Sequence, residues 1–171
     1  MATHRIPIFG AATVPDASGN VFFEPSGIKD VNDLYSRLVL IFNDTATRLT
    51  VKGAVRIPPN YVSAPRIKGR WWTSAITGFA RWEFDYRAIA STESADPSTD
   101  QESVSHRQAA PGTARLYAEF DMALTAANLA IDDVIQFILA RDGAEAAPND
   151  DTIAAAISVD MDSVVLEYLD S

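Results

Sequence analysis

Between Arg66 and Arg87 the chain alternates apolar and polar residues at a period of two, twice in succession. A helix cannot use such a pattern, because it returns a side chain to one face only every three or four residues. In the first stretch Ile67, Gly69 and Trp71 lie opposite Lys68, Arg70 and Trp72; in the second, Ala80, Trp82, Phe84 and Tyr86 lie opposite Arg81, Glu83, Asp85 and Arg87. The pair resembles a β-hairpin turning at Ser74–Gly78.

The same period recurs along the chain. Leu49, Val51, Gly53, Val55 and Ile57 form one side of a half-buried strand that Pro58-Pro59-Asn60 ends, and Ala114, Leu116, Ala118, Phe120 and Met122 form another. Leu38–Phe42 is apolar throughout and reads as a strand buried on both faces, with a helical turn before it from the spacing of Val31, Leu34 and Leu38. Val134–Leu139 reads as a central strand, and Thr152–Met161 and Val164–Leu169 as the last two. Arg141–Asn149 reads as a loop, and Ala123–Ala130 as a turn or single helical loop. Residues 89–112 form a long polar stretch, which an edge strand near Ser103–Gln108 shortens. About eight strands without a long amphipathic helix predict an all-β, two-sheet β-sandwich with jelly-roll or Greek-key connections.

The first 27 residues are interrupted by Pro7, Pro15, Pro25 and three glycines, and they read as an extended N-terminal arm preceding a sandwich domain over 28–171. Such an arm lies along its own domain or on a neighbouring subunit. Its apolar residues Ile6, Ile8, Phe9, Phe22 and Phe23 need a surface to cover them, which makes them candidate interface anchors. On this view, deleting residues 2–27 leaves the folded domain intact.

At 171 residues the chain suits one domain, and it contains no cysteine, so disulfides, thiolate nucleophiles and thiolate metal sites are excluded. A net charge of −9 argues against a nucleic-acid partner. The charges are unevenly spread: residues 48–87 sum to +6 and residues 113–171 to −10. Basic and acidic strands that face one another within one sandwich account for this, as do opposite-sign faces meeting between copies or partners. No apolar run is long enough for a helical span, no secretory signal is read at the N-terminus, and synthesis in a cytoplasm is expected.

Candidate chemistry is sparse. His4 falls in the arm and His106 in the polar stretch, so neither reads as a positioned general base, and neither nucleotide-binding glycine pattern is present. No cofactor and no catalytic residue are expected. Asp132-Asp133, Asp150-Asp151 and Asp160/Asp162 suit turn positions; Asp142, Asp150 and Asp151 are conceivable calcium ligands, though no spacing demands them. Trp71 and Trp72 point to opposite faces, so one lies outside the core; Trp72 is the candidate surface indole, for a protein contact or for a sugar ring.

Two sets of segments carry a family resemblance. Val55-Arg56-Ile57-Pro58-Pro59-Asn60-Tyr61-Val62, Thr73-Ser74-Ala75 and Ala80-Arg81-Trp82, with Asp133–Phe137, Leu139–Ala144, Asp151-Thr152 and Val164–Tyr168, resemble the small jelly-roll structural proteins of tailed bacteriophages over about residues 38–170. The resemblance implies a non-enzymatic virion component: a capsid decoration or cement protein, a homo-oligomer such as a trimer, bound to the major capsid protein or another virion protein. The alternative is a tail-fibre receptor-binding or carbohydrate-binding module that uses Trp72, Tyr61 and the 89–112 stretch. A sandwich-fold hydrolase or cupin lacks the histidines it needs.

Overall fold

The computed structural model describes residues 1–9, 14–15, 17–24, 38–96 and 99–170. Among the described residues twelve strands divide between two antiparallel sheets: β1 (Thr3–Pro7), β2 (Val14–Pro15), β3 (Val21–Glu24), β4 (Val39–Phe42), β5 (Arg48–Arg56), β6 (Tyr61–Thr73), β7 (Phe79–Ile89), β8 (Glu102–Ala109), β9 (Ala118–Ala123), β10 (Val134–Asp142), β11 (Ile157–Asp160) and β12 (Val165–Asp170). Sheet A runs β1-β12-β6-β11-β4-β3 with β9 added to β6, and sheet B runs β2-β5-β10-β7-β8. β11 and β12 lie end to end along one side of β6, separated by the 3₁₀ turn Met161–Ser163, with β4 and β1 flanking them in the same way. Sheet A is thus about as wide as sheet B, and the expected two-sheet jelly-roll sandwich is what the chain forms.

An aromatic layer joins the sheets. Trp82 of sheet B reaches Phe42, Trp71 and Phe120 of sheet A, with ring centroids 5.4, 6.1 and 5.1 Å away. Two glycines make room for it. Gly69 pairs with Phe120 and Gly53 with Phe137, and in each case a Cβ on the glycine would collide with the partner's ring. The glycines interrupt the alternation as apolar positions without side chains because a neighbouring ring fills their space.

The hairpin expected at 66–87 does not form. β6 and β7 belong to different sheets, so residues 74–78 cross the sandwich instead of reversing within one sheet. Alternation fixes which side chains face inward but is the same for a hairpin and for strands of opposing sheets. Leu38–Phe42 behaves as expected, since every residue of β4 is buried, and β10 is central between β5 and β7. The edge strand near Ser103–Gln108 is β8. Two strands are shorter than their alternation implied: β9 begins only at Ala118 and β11 only at Ile157. The helical turn expected before Leu38 lies outside the described residues.

The N-terminal arm is corrected more fully. β1 pairs with β12 over its whole length, and the main-chain N–H of Ile8 donates to Val164 O at 3.0 Å. Ile8 is 3% exposed, Ile6, Phe9 and Phe23 pack against the core, and only Phe22 points outward. A boundary at residue 27 therefore separates no arm from the sandwich: β1, β2 and β3 are strands of its sheets. The prolines misled because they sit where sheets tolerate them, Pro7 on β1 and Pro15 on β2, each at a sheet edge where the missing N–H breaks no ladder.

Arg141, at the inner end of β10, is 2% exposed and ion-paired with Asp151 through Nε–Oδ2 and Nη2–Oδ1 bonds, both 2.9 Å. It belongs to the core, not to the loop expected at 141–149.

Removing residues 2–9 should lower unfolding stability by about 3 kcal/mol or more, from the apolar burial of Ile6, Ile8 and Phe9; urea denaturation measures it, and unchanged stability would return the segment to the status of an arm. Arg141→Met should cost about 3–5 kcal/mol in the same assay because it strands Asp151 as a buried unpaired charge.

Candidate binding groove on sheet B

The inward residues of sheet B are spent on the core, so its function must lie on the outer face or at the rims. Register places the outward side chains in ranks across the strands. Lys52 of β5 stands beside Ile138 of β10, then Asp85 of β7 and Ser103 of β8; the next rank holds Ala54, Gln136 and Arg87. These two ranks floor a groove of about 450 Å³, with Thr99 and Asp100 on its rim.

The rim is fastened to the sheet. Gln136 Nε2 donates to Ala95 O at 2.9 Å, the Gln101 N–H to Tyr86 O at 2.8 Å, and the Ala88 N–H to Gln101 Oε1 at 3.1 Å. Ala95 and Gln101, from the long polar stretch, are therefore held against the sheet ahead of strand β8. Nearby, Glu102 points to the inner side and ties β8 to the facing 123–130 segment, accepting from Tyr86 Oη and from Thr125 N–H at 3.0 Å. Burial, and then the Glu102 hydrogen bond, push the Tyr86 phenol well above its ordinary range. That hydroxyl stays protonated and serves as a donor.

Asp85 is the most enclosed charged group of the groove, and its charge is already matched. Arg48 Nη2 ion-pairs with its Oδ2, and Ser103 Oγ donates to its Oδ1 at 2.6 Å. Among the described residues Lys52, Arg87 and Asp100 have no such partner, and the Gln136 side-chain oxygen is left to accept. The Phe137 ring is turned inward under Gly53, so the groove floor is polar and aliphatic.

The other sequence candidates are dispersed. His4 lies at the far edge of sheet A, 2.7 Å from Asp170 Oδ2, and His106 faces inward beside Gln108. Asp150 is engaged by Arg107 and Asp151 by Arg141, so with Asp142 they do not form an oxygen cage. Among the described residues Glu83, Asp142 and Glu145 do converge, but Glu83 already pairs with Arg48 and Arg81. Trp72 does face outward, as one of the two adjacent indoles had to, yet it is 4% exposed, clustered with Val39 and Ile41 and edge-on to Tyr117 at 5.5 Å. Tyr61 is buried against Tyr168 on the inner side. The set of Trp72, Tyr61 and the 89–112 stretch is therefore not one surface; only the last of these borders the groove. Lys52, Arg87 and Gln136 were missed as site residues, because an outward residue on an alternating strand looks the same over a groove as over open solvent.

Sheet A carries the charge contrast seen in the sequence. Basic β6 is flanked by acidic β9 and β12: Arg66 Nε lies 2.6 Å from Asp121 Oδ1, Lys68 Nζ 2.7 Å from Glu167 Oε1, and Arg70 Nε 3.0 Å from Glu119 Oε1. Opposite charges meet within the chain across these three strands.

No protein-family model and no curated protein matches the chain. Solved structures match in fold. A family 30 carbohydrate-binding module aligns over 100% of both chains at 7% identity with a TM-score of 0.50. The xylan-binding domain CBM22-1 of Paenibacillus barcinonensis Xyn10C aligns over 99% of this chain and 94% of that one at 10% identity, also at 0.50. An arabinose-bound α-L-arabinofuranosidase is matched over 92% of this chain but only 23% of its own length, at a TM-score of 0.49. At such identities the likeness establishes the β-sandwich fold. The virion resemblance gains no support from these comparisons.

The Lys68 hydrogen bond, and after it Arg5, hold the Glu167 carboxyl below its ordinary value against the opposing effect of burial. Its contribution is complete above the unfolded glutamate value of about 4.3 and fades as pH falls through the lower folded value. Glu167→Gln should therefore lower the Tm at neutral pH, with the gap to the parent closing in acid; a gap that is constant with pH would assign the loss to packing.

Proposed function

We propose that this protein is a non-catalytic carbohydrate-binding domain that takes a saccharide chain in the sheet B groove. The observation that carries the reading is the groove itself. It has room for a short oligosaccharide, and side chains from three adjacent strands and one connection converge in it with both donors and acceptors free. Sugars present alternating hydroxyl donors and acceptors around an aliphatic ring. Lys52 and Arg87 offer donors, the Gln136 oxygen and Asp100 offer acceptors, and Ile138 and Ala54 give the ring an apolar floor.

Binding suits the groove better than hydrolysis. Glycoside cleavage uses two carboxyl groups flanking one bond, whereas here Asp85 is saturated by Arg48 and Ser103 and only Asp100 is unengaged. Solved carbohydrate-binding modules with the same fold along the whole chain support the reading without assigning a ligand. The capsid-decoration reading drew on an apolar arm free to reach a neighbour, and Ile6, Ile8, Phe9 and Phe23 are engaged within the sandwich instead.

Affinity electrophoresis against a panel of soluble polysaccharides tests the proposal. At least one should retard the protein, Gln136→Ala should weaken that retardation about tenfold, and Arg70→Ala on sheet A should not. If no polysaccharide retards the parent protein, the reading fails.

A further inference from the structure

Every lysine and arginine among the described residues has an ion-pair partner except Lys52, Arg87 and Arg115. Two of those three stand in the groove. This is not what a chain of net charge −9 does by default: with carboxylates in excess, its cations are taken up elsewhere. The exception is local, and it is built by the sheet. Asp85, the carboxylate nearest in register, is drawn to Arg48 and Ser103, which leaves Lys52 and Arg87 to face the groove without an internal counter-ion. The remaining charge there is Asp100 on the rim.

We infer that the groove selects an anionic saccharide, with Arg87 and Lys52 each meeting a carboxylate of a hexuronate unit. The inference rests on the carbohydrate-binding reading and narrows it. Arg87 presents a planar fork that matches a carboxylate with two parallel hydrogen bonds, and Lys52 presents a point charge. β10 lies between their strands and their ranks are offset by one, so their Cα atoms stand roughly 12 Å apart, from ~4.8 Å between strands and ~6.8 Å between ranks. Two cations so placed address separate carboxylates along a polymer. Gln136, in the same rank as Arg87, offers its side-chain oxygen to a hydroxyl of the bound ring.

Isothermal titration of the full chain with oligogalacturonate, the same oligosaccharide methyl-esterified, a neutral xylo-oligosaccharide and a sulfated oligosaccharide tests this. Oligogalacturonate should bind at least tenfold tighter than its ester, with an affinity that falls as salt rises. Arg87→Ala and Lys52→Ala should each cost about five- to tenfold toward the acid and no more than about twofold toward the ester, which keeps the hydroxyl contacts but loses the charge. Asp100→Asn, which removes the opposing rim charge, should tighten binding of the acid about two- to fivefold, an effect no structural role predicts. Arg115→Ala, the partnerless cation outside the groove, should change nothing. Equal binding of acid, ester and neutral sugar would overturn the charge selection while leaving the carbohydrate reading standing. Preference for the sulfated sugar over the uronate would overturn the carboxylate assignment, and failure of every sugar to bind would remove the reading on which the inference rests.

Discussion

The guanidinium of Arg141 ties together three parts of the chain that lie far apart in sequence. It bonds both oxygens of Asp151 and donates to the carbonyl oxygens of Asn43, Ala155 and Ile153 at 3.1, 2.8 and 2.6 Å. The end of central strand β10, the segment after β4 and the long approach to β11 therefore meet at one side chain. Asp151 extends the tie, accepting from the main-chain N–H of Arg81 at 3.2 Å and of Ile153 at 3.1 Å. Burying two charges is costly unless their remaining hydrogen-bonding capacity is met, and here the backbone of an irregular segment meets it. The exchange is mutual, because residues 143–156 have little strand pairing of their own to satisfy their carbonyls.

Packing and recognition are divided between the faces of each sheet. The inner faces carry the aromatic layer around Trp82, seated over Gly53 and Gly69, and this layer uses Trp82, Phe84 and Tyr86 of β7, Phe120 of β9 and Phe137 of β10. The outer face of sheet A pairs the cations of β6 with carboxylates of β9 and β12. The outer face of sheet B closes only part of its charges, at Arg48, Glu83 and Asp85, and among the described residues leaves Lys52, Arg87 and the Gln136 oxygen unmatched beside Thr99 and Asp100. A fold used for binding needs such a residue of unsatisfied groups held by rigid strands, and the outer face of sheet B has it.

Strand content was legible because period two is a property of neighbours in sequence. The inward sets Val51/Val55, Ile67/Trp71, Trp82/Phe84/Tyr86, Phe120/Met122 and Ile135/Phe137/Leu139 are all buried as their alternation requires. The outward facing of Lys52 and Arg87 was equally legible, as was the opposite facing of Trp71 and Trp72. The edge strands β1, β2 and β3 were not, because prolines that forbid a central strand are harmless at an edge, and edge or centre is not written in the local pattern.

Taken alone, the sequence determined the all-β class, the facing of most side chains and the absence of thiol chemistry, since each follows from residue type and spacing over a few positions. Pairing decided the rest. That β6 and β7 part to opposite sheets, that Trp72 is covered although it faces outward, that Arg141 is core and not turn, and that Lys52, Arg87 and Gln136 share one groove all depend on contacts between residues far apart in the chain. A side chain's neighbours across a sheet are set by strand order and register, and local alternation is compatible with many of either.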